Sequence, residues 1–217
     1  MRARQVLDRI AFRRTHSFGA ASVTDLVSSA AARGIQATRL DVHLAVADYA
    51  HFVEEDWFRC PEIDRGRFAD LSRRMLAVKA PLSVAALRGG VCRASTSRGT
   101  ALVPPERVMT AVYGAEAGFS VDGSAAVWPR FPLDERELPA ADRLFVEVLR
   151  ASWIGVLDGD SFRNACSSAG MSGRAFAFGA ARSAVLDQGP GDIWFLRGTR
   201  VSSITAAALR RAMSCDD

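Results

Sequence analysis

The chain has 217 residues, 28 basic and 24 acidic side chains, a net charge of +4, and apolar residues making up nearly half of it. That length suits one large domain or two to three small ones and can build packed cores, while no apolar run approaches the roughly 20 residues that span a membrane. The basic start MRARQVLDRIAFRR leads into no long apolar stretch, so it is not expected to be a secretory signal.

The first unit is expected over residues 1–61. RQVLDRIAFRR reads as a helix, SVTDLVSSA (22–30) as a second, ARGIQ as a turn and roughly 37–49 as a third helix. FVEEDWFRCP then has two apolar runs around a polar tip, the signature of a β-hairpin over 52–58. The second unit, 65–132, repeats the order. GRFADLSRRMLAVK precedes SVAALRGGV (83–91), and the turn swells to CRASTSRGTALV before Pro104-Pro105 open the helix PERVMTAVYG. Proline fits a first helical turn, where no amide donor is missed. FSVDGSAAVWPRF supplies a hairpin over 119–128. The third unit, 133–198, has AADRLFVEVLRASW, SFRNACSSA (161–169), the turn AGM, a helix from Ser172 to about Arg182, and a hairpin over 185–196 with its tip at Gln188–Asp192. The tail, 199–217, carries a short apolar-spaced helix, SITAAALRRAM.

Two features tie the units together. Each second helix begins with serine and has apolar residues one, four and eight positions on, which is helical spacing behind a capping hydroxyl; Ser22, Ser83 and Asp160 are the expected caps. Each hairpin places a tryptophan (Trp57, Trp128, Trp194) on its second strand, 71 and then 66 residues apart, too far for a solenoid and right for small tandem domains. These tryptophans are expected to pack under the helices. The expected fold is therefore mainly α with small β-hairpins (α+β), as three tandem winged helix-turn-helix units joined by the Pro-rich, charged linkers PEIDRGR and PRFPLDERELPA.

On these residues the chain resembles winged helix-turn-helix domains of bacterial regulators in tandem. Its last unit, GVLDGDSFRNACSSAGMSGRAFAFGAARSAVLDQGPGDIWFLRG, is similar to winged-helix units of sigma-factor-like or helicase-like actinobacterial proteins. The resemblance rests on turn positions and apolar spacing over most of the chain. It implies nucleic-acid binding and also permits a protein–protein role.

No motif for chemistry stands out. His16, His43 and His51 have no cysteine or carboxylate at metal-ligand spacing. Asp158 and Asp160 lack a third carboxylate, so Asp160 or Ser161 is read as a helix cap and Asp158 as a turn residue. The acids flanking DQGPGD repel phosphate, and no helix starts after it. No catalytic residue, metal or cofactor is expected, and the chain is not expected to be an enzyme. Cys60, Cys92, Cys166 and Cys215 are scattered, which fits thiols in a reducing cytoplasm.

Arginine supplies 27 of the 28 basic residues, and Lys79 is the remaining one. Arginine favours bidentate phosphate and guanine contacts, although a GC-rich genome also explains the bias. The net charges are +1 for 1–61, +6 for 65–132 and −1 for 133–217, with Glu62 and Asp64 in the linker. The middle unit is therefore the expected phosphate surface: Arg88, Arg93, Ser95, Thr96 and Arg98 on its second helix and turn, and Arg107 at the start of its third helix. The third unit adds Arg163 and Asn164 on its second helix and Arg174 and Arg182 on its third. Arg93, Arg98 and Arg107 are expected to carry more affinity than Arg174 and Arg182. Phe176 and Phe178 cannot both face one core stripe, and an exposed phenylalanine favours a protein partner. Asp41 and Asp48 disfavour groove contact by the first unit's third helix. The expected function is a non-catalytic DNA-binding protein, a transcriptional regulator or accessory factor acting on double-stranded DNA with no membrane contact. The alternative is an assembly module of a nucleic-acid-processing complex, docking on a protein or on a second copy of the chain.

Overall fold

The structure, a computed structural model, describes residues 2–62, 64–95 and 102–201. One element order occurs three times. The first unit has α1 (Arg2–Phe18), β1 (Ala21–Ser22), α2 (Val23–Ala31), α3 (Arg39–Val46), β2 (His51–Glu54) and β3 (Trp57–Arg59). The second has α4 (Gly66–Val78), β4 (Leu82–Ser83), α5 (Val84–Ser95), α6 (Glu106–Ala115), β5 (Phe119–Val121) and β6 (Ala126–Pro129). The third has α7 (Ala140–Ala151), β7 (Val156–Asp158), α8 (Gly159–Ser168), α9 (Gly173–Arg182), β8 (Leu186–Gly189) and β9 (Ile193–Leu196). Each unit folds its strands into a small antiparallel sheet in the order first, third, second. The fold is thus mixed α/β, mostly helical, with three three-stranded sheets. No helix among the described residues is long and apolar enough to cross a membrane. The tail helix expected over SITAAALRRAM lies outside the described residues.

Local chemistry sets the helix boundaries. The Ser22 hydroxyl accepts from the Asp25 amide at 3.1 Å and starts α2. Thr38 and Asp41 cap α3 reciprocally, each side chain accepting from the other's backbone amide. The Ser172 hydroxyl accepts from Ala175 at 3.2 Å and starts α9. The cap of α8 is Asp158, which accepts from the amides of Asp160 and Ser161 at 3.0 and 2.9 Å, so the expected assignment to Asp160 or Ser161 moves back to the residue where β7 ends. The turns after α2 and α8 pass through Gly34 and Gly170 at φ of +71° and +92°, a left-handed conformation that glycine adopts without a Cβ clash.

The tryptophans lie on the second strand of each hairpin, as expected, but not at equivalent places. The cap residues Ser22, Ser83 and Asp158 pair across the sheet with Trp57, Ala126 and Ile193. Relative to that frame, Trp57 sits at the first position, Trp194 at the second and Trp128 at the third. Neighbours on a strand face opposite ways. Trp194 therefore occupies the inward position held by Phe58 and Val127 in the other units, and is 8% exposed, whereas Trp128 turns outward and is 45% exposed. The expectation that all three pack under the helices holds for Trp194 and fails for Trp128, while the half-buried Trp57 packs against the core of the second unit.

The units are packed together. Phe18 and Ala20 of the first unit and Ala184 of the third belong to the core of the second, and Val78 of the second belongs to the core of the third. α1 lies along α4, and α5 lies along α9. Gly90 of α5 marks the closest approach: a side chain there would meet Met75, the Ala184 carbonyl oxygen at 2.8 Å and Arg197 Nε at 3.0 Å. Arg197 is 4% exposed and donates to the carbonyls of Ala184 (2.7 Å), Leu186 (2.5 Å) and Ala86 (3.4 Å) and to the Asp187 carboxylate (3.1 Å). One buried guanidinium thereby joins the second unit to the third.

Candidate nucleic-acid interface

The middle unit carries the largest positive excess, but its neighbours engage it. α5 runs to Ser95, past the expected end at residue 91, and takes Arg93 with it. The Arg93 Nε donates to the Ala180 carbonyl on α9 at 3.2 Å, and its guanidinium lies 4.8 Å from the centre of the Trp194 ring. Burial pulls its pKa below the usual arginine value, with Asp187 acting in the other direction. The Arg88 Nε donates to the Pro104 carbonyl at 2.9 Å and pins the segment ahead of α6. Ser95 is buried and its hydroxyl has no hydrogen-bond partner among the described residues. Thr96 and Arg98 lie outside the described residues. Arg107, at the second position of α6, pairs with Glu54 on the hairpin of the first unit at 2.5 Å. The structure thus separates the expected cluster: Arg93 faces the third unit and Arg107 the first.

The third unit leaves a more open surface. Phe176 is buried against Phe145 and Phe162, with ring centres 6.0 and 5.2 Å away. Phe178 is 61% exposed, so the two-residue spacing does split the pair between core and solvent. Arg174, Ala177, Phe178, Ala181 and Arg182 form the open stripe of α9. The Arg182 guanidinium lies 3.9 Å over the Phe178 ring, and Arg174 makes no ion pair among the described residues. α9 contains no acid, and its alanines let a partner approach the backbone. On α8, Asn164 is exposed, and Arg163 pairs with Asp160 at 2.9 Å while lying 5.8 Å from the Phe176 ring. The hairpin acids are tied within the fold. Asp187 pairs with Arg197, and Asp192 accepts from Gln188 Nε2 at 2.6 Å and Trp194 Nε1 at 2.8 Å.

The third helix of the first unit has a different surface. Leu40 and Leu44, one turn apart on α3, are 66% and 61% exposed. Phe52 of β2 is also exposed and stacks on His43 of α3, with ring centres 4.5 Å apart. Arg39 pairs with Asp56 at 2.9 Å. Burial tends to raise the Asp56 carboxyl, but hydrogen bonds from Ser22 and Thr24 and the Arg39 charge hold it below the usual carboxylate range. Neither this arginine nor the Asp41 cap is arranged to meet phosphate.

Five arginines outside the expected set, Arg9, Arg13, Arg14, Arg33 and Arg67, line a groove beside α1. The four-residue spacing of Arg9 and Arg13 was the available signal in the sequence. Among the described residues, no group of three His, Cys, Asp or Glu side chains is placed to hold a metal ion. No protein-family model, curated protein or solved structure matches this chain.

Proposed function

We propose that the protein is a non-catalytic nucleic-acid-binding protein of three winged-helix units, whose third unit contacts duplex DNA through α9. The repeated order helix, strand, two helices and hairpin, with the first strand paired to the last, supports the winged-helix reading. In a helix-turn-helix the second helix of the motif enters the major groove with its first residues nearest the bases. α3 and α9 compare directly in that role: α3 presents leucines and an aspartate, and α9 an acid-free stripe with two open arginines. That stripe is the observation carrying the proposal. On this reading Arg174, near the helix start, meets bases or the first phosphates, Arg182 the backbone further along, and Asn164 and Arg163 flank them from α8.

The test is a gel-shift titration of random-sequence duplex over a salt series. Each lost phosphate contact reduces the salt slope by roughly one unit. Arg174→Ala/Arg182→Ala is therefore expected to flatten it by about two units, with Arg88→Ala/Arg107→Ala close to wild type. The reverse ranking would return the interface to the middle unit. Absence of binding at low salt would favour a second reading, an assembly module docking through the exposed Leu40, Leu44 and Phe52 of the first unit.

A further inference from the structure

We propose that the groove between the first two units is a binding site for linked phosphates, separate from the α9 stripe and independent of the reading given to it. The groove runs between α1, the turn after α2, the start of α4 and the end of α5, with a volume of about 740 Å³. That lies within the roughly 300–1,000 Å³ of small-molecule sites and exceeds what a single phosphate fills. Arg9, Arg13, Arg14, Arg33 and Arg67 line it, and among the described residues no carboxylate does.

Three of these arginines are held in place. The Arg14 Nε lies 2.7 Å from the Asp25 carboxylate. Arg33 Nη1 donates to the Ser29 carbonyl at 2.6 Å, and Arg67 Nη2 to the Ala94 carbonyl at 3.1 Å. A guanidinium has five N–H donors, so the tethers of Arg14 and Arg33 fix an orientation and leave donors over. Arg9 and Arg13 are exposed one turn apart on α1 and enter no ion pair among the described residues. Like charges at that spacing repel, and an anion between them turns the repulsion into attraction. Ser95 also lines the groove, and its buried hydroxyl has no hydrogen-bond partner among the described residues.

The chemistry that answers all of these is a chain of tetrahedral anions. Guanidinium forks match phosphate oxygens two at a time, and the spread of five forks along one groove matches successive phosphates. Such a chain exists in a free polyphosphate, including the phosphate chain of a nucleotide, and in a nucleic-acid backbone.

Calorimetric titration with inorganic tripolyphosphate at constant ionic strength tests the site. Wild type is expected to bind it. Arg9→Gln/Arg13→Gln/Arg33→Gln, at exposed positions, is expected to melt like wild type and to bind on the order of tenfold or more weakly. Ser95→Ala removes an unpartnered hydroxyl and is expected to keep the fold while weakening binding severalfold. Arg174→Ala/Arg182→Ala is expected to bind tripolyphosphate unchanged, so a failure of the α9 reading leaves this one standing. Displacement of tripolyphosphate by a short single-stranded oligonucleotide identifies a backbone site, and its persistence identifies a site for the free chain. Absence of tripolyphosphate binding by wild type, or equal binding by the triple variant, overturns the proposal.

Discussion

Asp142 of α7 is 8% exposed, and the Ser183 hydroxyl donates to its carboxylate at 2.6 Å. Burial raises its carboxyl above the usual carboxylate range, outweighing the Ser183 hydrogen bond and the Arg74 charge. The folded state therefore holds this proton more tightly than the unfolded chain does. Below the unfolded value of about 3.9 both states are protonated and the group has no effect on stability. As pH rises from there through the raised folded value, a penalty develops and then persists. Asp142→Asn keeps an acceptor for Ser183 and removes the charge. It is expected to melt a few degrees above wild type at pH 7, with the difference closing as pH falls below the ordinary aspartate range. Circular-dichroism melts of both proteins across that range check this; a variant less stable at pH 7 would mean that the Arg74 attraction dominates.

The helices and hairpins were legible in the sequence because their signals are local: apolar spacing, a capping hydroxyl, a polar tip between apolar runs. The first strands were not, since β1 and β4 have two residues each and show no alternation. Register was not legible either. A tryptophan in a hairpin marks the element, but a one-residue offset decides which face it takes. The energetic difference is large. Trp194 fills a core position against Phe162, with ring centres 5.7 Å apart, and truncating such a side chain typically costs about 3–5 kcal/mol. Trp128 lies on the outer face, where a substitution usually changes stability by less than about 1 kcal/mol. Urea unfolding of Trp194→Ala and Trp128→Ala is expected to show that contrast, and similar midpoints for the two would contradict the register of the third sheet.

At the scale of the whole molecule, the candidate site shows the limit of reading along the chain. The excess of arginine in the middle unit was legible, but its placement was not. Arg93 turns inward because α9, 87 residues away at Ala180, docks on α5, and no local pattern reports which surfaces of separate units meet. The groove beside α1 likewise draws on residues from Val6 to Ser95. Shared cores and the buried Arg197 imply that the units unfold together. Scanning calorimetry is expected to show one transition with calorimetric and van't Hoff enthalpies in agreement; resolved separate transitions would show that the contacts between units contribute little. The seating of Arg93 over Trp194 gives the protein an optical gauge of its own. While α5 and α9 stay together, this indole is shielded from water and carries a cation 4.8 Å above its ring. If they part, the cation leaves, water enters and the emission shifts to the red. Trp153, 97% exposed, emits as solvated indole in either state. A chain retaining Trp194 as its sole tryptophan would thus report, without a label, whether the third unit rests on the second.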